Sequence, residues 1–360
     1  MKAIILVGGL GTRLRPLTCD TPKSLVPILG TPFIEHMLKW LMKYGVHEVI
    51  LTLSHLAPAI QQYLGDGQSI GMKIRYIQEP SPLGTAGAVG NAALSIDEPF
   101  LVLNGDIFTE IDISEMQALH KHKGATATIA LTPVENPSAY GLVKTNAEGF
   151  VLGFTEKPEV SAVNDNFINA GIYILEPEVL SLIPPGENYS FERGVFPDLV
   201  KEKKTFFAYS SSSYWIDIGT PEKYTQLNRD ILAGLVGNFG FGDGHEIVVS
   251  GDAGINYEVK FEGPVYIDHF CRLAAGTNVV GPAILGKNCH IGADTVVTSS
   301  ILWERIQIGS NSRVTNSIVA SDCTIGHNCH LDSVIVGERV TISDGYQGEA
   351  GAVIFPDSHL

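Results

Sequence analysis

Basic residues are scarce in this chain. Of its 360 residues, 24 are Lys or Arg and 39 are Asp or Glu, a formal charge of −15 with histidine neutral. A protein that coats DNA, RNA or an anionic membrane needs a basic face, so those partners are excluded as its main business. Long apolar runs are missing too. The longest, around Ala3–Val7, is the length of one strand and far short of a membrane span. No small-residue cleavage site follows it, which argues against a secretory leader and for a cytoplasmic protein. Charged residues make up 18% and hydrophobic residues 44%, enough apolar material for a substantial core and too much for wholesale disorder. The five cysteines form no CxxC pair, so a zinc site is not supported.

Glycine is what the chain has in excess. Its 38 glycines and 19 prolines are unevenly spread: one glycine cluster opens the chain and others recur after about residue 263. The clusters mark two regions with different periods. Over residues 1–235, continuous apolar strands (2–7, 47–53, 72–77, 100–103) alternate with amphipathic helices (32–44, 58–64, 84–94). Ile34, Met37, Leu38 and Leu41 share one face of the first helix. That alternation predicts an α/β fold, a Rossmann-like, mostly parallel sheet with helices on both faces. Ligands on such sheets bind at the carboxyl ends of the strands.

From residue 264 another rule holds. Ile267, Leu273, Val279, Leu285, Ile291 and Val297 are spaced by six; Ile291, Ile308, Ile325 and Ile342, and likewise Val297, Val314 and Leu331, by 17. Three six-residue faces make a triangular coil, and 17 is one coil shortened at a corner. The pattern predicts a left-handed parallel β-helix of hexapeptide repeats over 264–360. Residues 236–263 read as a linker or first irregular coil, with Gly237, Gly240, Gly242 and Gly244 as a hinge. Gly286, Gly292, Gly309 and Gly326, each after an aliphatic anchor, are expected to turn the corners. Cys271, Cys289, Cys323 and Cys329 fall at inward positions, as reduced small hydrophobes, and His290 and His330 at the coil surface.

The opening cluster runs Gly8-Gly9-Leu10-Gly11-Thr12-Arg13-Leu14-Arg15-Pro16-Leu17-Thr18, then Pro22-Lys23. It is not a dinucleotide fingerprint, because Leu14 stands where a third glycine would be, nor a P-loop, because Pro22 precedes Lys23. It nonetheless suits a polyphosphate. Glycines let backbone N–H groups approach phosphate oxygens, and Arg13, Arg15 and Lys23 supply charge. Residues 1–34 hold Lys2, Arg13, Arg15 and Lys23 against Asp20 alone, a local +3 inside an acidic chain.

This stretch resembles the signature of the sugar-1-phosphate nucleotidyltransferases, the NDP-sugar pyrophosphorylases, and within them stands nearest the guanylyltransferases acting on mannose-1-phosphate. Five further stretches agree in family order: Glu79-Pro80 through Gly84-Thr85-Ala86-Gly87, Asn136-Pro137-Ser138-x-Tyr140-Gly141, Phe154-x-Glu156-Lys157-Pro158, Asn169-Ala170-Gly171 and Trp215-Ile216-Asp217-Ile218-Gly219. The resemblance covers nearly the whole chain and implies transfer from a nucleoside triphosphate to a sugar-1-phosphate, with release of pyrophosphate. It implies triphosphate binding by Gly8, Gly9, Gly11, Thr12, Arg13 and Lys23. By the same resemblance Arg13 and Lys23, with Asp106 and Asp217, would form the catalytic set. Both carboxylates would be Mg²⁺ ligands beside the triphosphate. Gly141, Glu156, Lys157, Asn169 and Gly171 would hold the sugar phosphate.

The base is expected to be read at Glu79, with backbone groups of Gly84, Thr85 and Ala86 assisting. Guanine presents two adjacent donors, and an ionised carboxylate is acceptor-only; thymine presents one donor beside an acceptor, which suits an amide. The expected substrate is therefore GTP. Alternatives are thymidylyl or adenylyl transfer to glucose-1-phosphate, acyl transfer by the β-helix, and a non-catalytic regulatory subunit. The last would shed charge at the loop, yet Arg13, Lys23, Asp106, Lys157 and Asp217 are all present. The β-helix is expected to serve self-association into a homo-oligomer.

Overall fold

The computed structural model describes residues 1–53, 57–79, 81–93, 96–137, 140–156, 167–237, 239, 241 and 246–360, with the side chains of 155 and 156 left aside. The chain divides into two units: Met1–Gly9 with Ile34–Asp217, and Leu10–Phe33 with Ile218–Leu360.

The first unit is built on one mixed sheet. Its elements are β1 (Ala3–Leu6), α1 (Phe33–Lys43), β2 (Glu48–Leu53), α2 (Ala57–Leu64), β3 (Lys73–Gln78), α3 (Gly84–Ala92), β4 (Phe100–Asn104), β5 (Ile107–Thr109), α4 (Ile113–Lys123), β6 (Ala127–Pro133), β7 (Gly141–Thr145), β8 (Val151–Glu156), β9 (Phe167–Leu175), α5 (Phe196–Lys201), β10 (Phe206–Ser210) and β11 (Trp215–Asp217). The strand order is β8-β7-β9-β4-β1-β2-β3, with β6 beside β9 and β10 beside β6. Strands β3, β2, β1 and β4 run parallel, the half that the sequence predicts. Strand β9 returns antiparallel to β4 and β6, and β7 and β8 form an antiparallel pair.

Burial explains the uninterrupted apolar strands. Ala3–Ile5 and Phe100–Val102 are fully buried, as central strands covered on both faces must be. In α1, Ile34, Leu38 and Leu41 are fully buried along one stripe. Helix α3 lies close to its neighbours because its residues are small: a Cβ added to Gly87 would fall 2.5 Å from the Glu187 carbonyl oxygen, and one on Gly90 2.9 Å from Ile183.

The second unit holds a short hairpin (Pro27–Ile28 with Thr31–Pro32), α6 (Pro221–Leu232) and a coil of short strands. Those strands stack into three parallel sheets of seven, six and five members, a parallel β-helix. Its first coil comprises Ile247–Val249, Gly254–Ile255 and Lys260–Glu262, which pair with Val265–Ile267, Arg272–Leu273 and Asn278–Val280. The coil shortens from 18 to 17 residues where Ile267 pairs with Leu285 and Leu285 with Leu302. The aliphatic anchors and all four coil cysteines are buried, and His290 and His330 are exposed. Each thiol meets a carbonyl of the following coil: Cys271 that of Gly286, Cys289 that of Trp303, Cys323 that of Gly337 and Cys329 that of Ser343, at 3.0–3.2 Å.

The corner glycines differ from expectation. Gly286, Gly292, Gly309 and Gly326 do not have positive φ; two residues later Asn288, Asp294, Asn311 and Asn328 do, at 55–60°. Asn and Asp tolerate that conformation. The glycines serve close stacking instead, since an added Cβ would lie 2.4–2.6 Å from atoms of the next coil. Of the expected hinge, Gly237 has positive φ, and Gly240, Gly242 and Gly244 lie outside the described residues. No helix among the described residues is long and apolar enough to cross a membrane.

Candidate active site

The carboxyl ends of β1 and β4 meet through the Gly105 N–H, which donates to the Leu6 carbonyl at 2.9 Å. A Cβ on Gly105 would sit 2.6 Å from that oxygen, so only glycine lets the turn close, and Asp106 follows directly. Strand β5 then pairs antiparallel with β11, with Ile107 opposite Asp217. The two carboxylates proposed as metal ligands are thus one residue apart across a strand pair, although 110 positions separate them in sequence. The Tyr140 hydroxyl donates to Asp217 Oδ1 at 2.6 Å. Its ring stands edge-on to Trp215, with centroids 5.6 Å apart, and the indole N–H donates to the Ala170 carbonyl at 3.0 Å. Sequence reasoning quoted Tyr140 as part of a motif and gave it no role. Nothing local signals it, because its partner lies 77 residues on.

Gly171 joins this cluster. Its φ is +71°, and a Cβ there would clash with Ile107 and with the Asn104 side chain. Asn169 holds that bend: its Oδ1 accepts from the Gly171 N–H at 2.8 Å and its Nδ2 donates to the Tyr173 hydroxyl at 2.9 Å. The amide expected to contact sugar hydroxyls therefore braces an irregularity in β9 as well. Gly141 starts β7 opposite the backbone of Glu156. The Glu156 side chain, Lys157, Pro158, Ser138 and Pro80 lie outside what is described.

Glu79 follows β3, and its Oε2 accepts from the Leu83 N–H at 3.0 Å, one turn before α3. The bend enters α3 through Gly84, whose φ is +70° and whose Cβ position is filled by the Tyr189 carbonyl. That carbonyl accepts from the Ala86 and Gly87 N–H groups at 3.0 and 3.1 Å. The Ala86 amide expected to assist the base is thus engaged inside the protein. The Thr85 hydroxyl accepts from the Phe191 N–H and donates to Glu192.

The residues of the glycine loop are divided by the chain's two units. Gly8 and Gly9 end the first, and among the described residues a Cβ on Gly9 would meet nothing within 4 Å. Leu10–Phe33 belongs to the second. There Gly11, at φ 62°, opens a 3₁₀ turn of Thr12, Arg13 and Leu14. Lys23 opens another with Ser24 and Leu25. The turns touch: the Cβ position of Gly11 is 3.3 Å from the Cβ atoms of Lys23 and Thr18, and the Thr18 hydroxyl donates to the Gly11 carbonyl at 2.7 Å. Arg13 and Arg15 are exposed and Lys23 half-buried. Asp20, the one acid among these cations, pairs with Arg339.

A glycine loop bearing cations in one unit and, in the other, two carboxylates at the carboxyl end of a parallel sheet are the parts that phosphate-ester chemistry needs. The chain matches the Nucleotidyl transferase family over residues 2–234, and the EIF2B subunit epsilon LbH domain over 262–359. It belongs to the nucleotidyl transferase family, among the sugar-1-phosphate nucleotidyltransferases, and its coil is a left-handed β-helix. It is 37% identical to a UTP–glucose-1-phosphate uridylyltransferase of Synechocystis, over 82% of this chain and 81% of that protein. It is 34% identical to a mannose-1-phosphate guanylyltransferase of Mycobacterium tuberculosis, over 79% of each. Among solved structures, HddC from Yersinia pseudotuberculosis complexed with GMP-PN is 32% identical with a TM-score of 0.56, covering 64% of this chain and 99% of that one.

Proposed function

We propose that the chain transfers a guanylyl group from GTP to mannose-1-phosphate. The observation that carries this reading is the Glu79 carboxylate at the entry to α3, an acceptor-only group suited to the paired donors of guanine. Uracil and thymine offer one donor beside acceptors. The guanylyltransferase relatives and the guanine-nucleotide complex of HddC support the same choice. A second reading, uridylyl transfer to glucose-1-phosphate, is favoured by the Synechocystis relative.

In the reaction an oxygen of the sugar-1-phosphate attacks the α-phosphorus. A new P–O bond forms, the bond to the bridging oxygen breaks, and pyrophosphate leaves with that electron pair. Two polyanions must come together, so neutralisation and alignment are the protein's tasks. Arg13 and Lys23 neutralise the triphosphate, and the Gly8–Gly11 backbone approaches its oxygens. Gly141, Glu156, Lys157, Asn169 and Gly171 hold the sugar phosphate.

Mg²⁺ fits the donor set. Among the described residues no group of three or more His, Cys, Asp and Glu is placed to hold a metal. Asp106 and Asp217 offer oxygen alone, and Mg²⁺ binds through one or two carboxylates plus phosphates and water. When bound there it supplies charge neutralisation at the reacting phosphates. Tyr140 fixes the Asp217 carboxylate. The test is a pyrophosphate-release panel of GTP, UTP, dTTP and ATP against mannose-, glucose- and N-acetylglucosamine-1-phosphate, with and without Mg²⁺. GTP with mannose-1-phosphate and Mg²⁺ is expected to lead. Release that is fastest with UTP and glucose-1-phosphate selects the second reading, and no release with any pair removes both. Full activity in Asp217→Ala would remove the metal assignment.

A further inference from the structure

The loop that carries Arg13 and Lys23 is fastened to the β-helix. Asp20 Oδ2 accepts from Arg339 Nη2 at 2.5 Å, and the Thr21 hydroxyl donates to Glu338 Oε1. Arg339 sits at a coil corner with φ 57°. The rest of its guanidinium grips Asp357 through two bonds of 2.8 and 2.9 Å and Glu338 Oε2 at 3.0 Å. Burial pushes the Glu338 carboxyl above its usual range, and Thr21 and Arg339 counter that. The same loop is held further along, where the Tyr224 hydroxyl donates to the Pro27 carbonyl at 2.7 Å while accepting from the Trp303 indole at 2.9 Å.

One residue, Pro22, separates Thr21 from Lys23 and stiffens the step. The Leu25 N–H donates to the Pro22 carbonyl at 2.8 Å, closing the turn that holds Lys23. The Lys23 Cβ lies 3.3 Å from where a Cβ on Gly11 would stand, and the Gly11 carbonyl accepts from the Leu14 N–H at 2.9 Å in the turn that holds Arg13. A continuous run of short contacts thus leads from Arg339 to both cations.

Resting on the reading of Arg13 and Lys23 as the triphosphate clamp, we propose that Arg339 and Glu338 of the β-helix form a latch that positions this loop for the nucleotide. The β-helix is then part of the nucleotide site's scaffold as well as an assembly module, and Arg339 is a positioning residue. A lone exposed ion pair would carry little weight. Here one guanidinium holds three carboxylates together, and its removal leaves Asp20, Glu338 and Asp357 to repel one another, driving the loop off the coil.

The test uses the full chain, with GTP binding measured by calorimetry and steady-state kinetics at varied GTP and varied sugar-1-phosphate. Arg339→Gln should raise Kd and KM for GTP on the order of tenfold while leaving KM for the sugar-1-phosphate unchanged. Mere loss of folded enzyme would lower the active fraction and shift neither constant. Arg339→Lys should recover much of the loss, and Asp20→Asn added to Arg339→Gln should relieve the repulsion. Arg305→Gln breaks the neighbouring corner pair with Asp322, which acts on Glu338 only through its charge, and should shift GTP affinity far less than Arg339→Gln does. Equal GTP affinity in Arg339→Gln and Arg305→Gln would overturn the latch alone. A wild-type chain that binds no nucleoside triphosphate would overturn the functional reading beneath it.

Discussion

At the residue scale, chemistry here depends on side chains that local structure holds in one orientation. Glu79 spends one oxygen on the Leu83 N–H, which fixes the plane of its carboxylate. Glu79→Gln converts an acceptor-only group into one that also donates. The ratio of kcat/KM for GTP to that for dTTP should fall by about tenfold to a hundredfold, because a guanine donor would face an amide donor. An unchanged ratio in the pyrophosphate-release assay would remove Glu79 from base selection. Glu79, Arg13, Lys23, Asp106 and Asp217 were all legible in the sequence as charged residues in glycine-rich or apolar settings. Tyr140 and Arg339 were not, because each acts on a partner 77 or 319 positions away and neither stands in a charged motif of its own.

At the element scale, strand ends and helix entries do the placing. Gly105, Gly84 and Gly171 each sit where a neighbouring backbone or side chain occupies the Cβ position, and together they let β4, α3 and β9 converge. Helix α4 is secured differently. Its buried His120 contacts the Thr128 hydroxyl at 2.8 Å through Nδ1 and Glu176 at 3.3 Å through Nε2. Burial lowers the imidazole below its ordinary value of 6.5, against the pull of Glu176. The native state thus resists a proton that the unfolded chain accepts. Stability from this site is fully present above the unfolded value and is lost as pH falls below it through the folded value. Melting curves of His120→Gln should show a smaller drop between neutrality and about pH 5 than wild type. Identical drops would mean that His120 carries no pH sensitivity.

At the scale of the whole molecule, the β-helix leaves apolar side chains exposed on its first and last coils: Ile247 at 44%, Val353 at 48% and Phe355 at 54%. Such positions suit self-association. Sedimentation of the full chain should give a species larger than one copy, and Val353→Lys should reduce it by at least half at equal concentration. A monomer at all concentrations would remove the homo-oligomer reading.

The sequence alone settled what repetition and local chemistry can encode. A six-residue period specifies a triangular coil because each anchor must face one narrow interior, and continuous apolar strands specify a sheet covered on both faces. The loop's charge could be read because glycines and cations stand side by side in the chain. The antiparallel half of the sheet, the use of corner glycines for stacking, the pairing of Asp217 opposite Ile107 and the contact of Arg339 with Asp20 were decided only by tertiary structure. Each depends on which distant segments become neighbours, and a distance through space between residues hundreds of positions apart has no local signature along the chain.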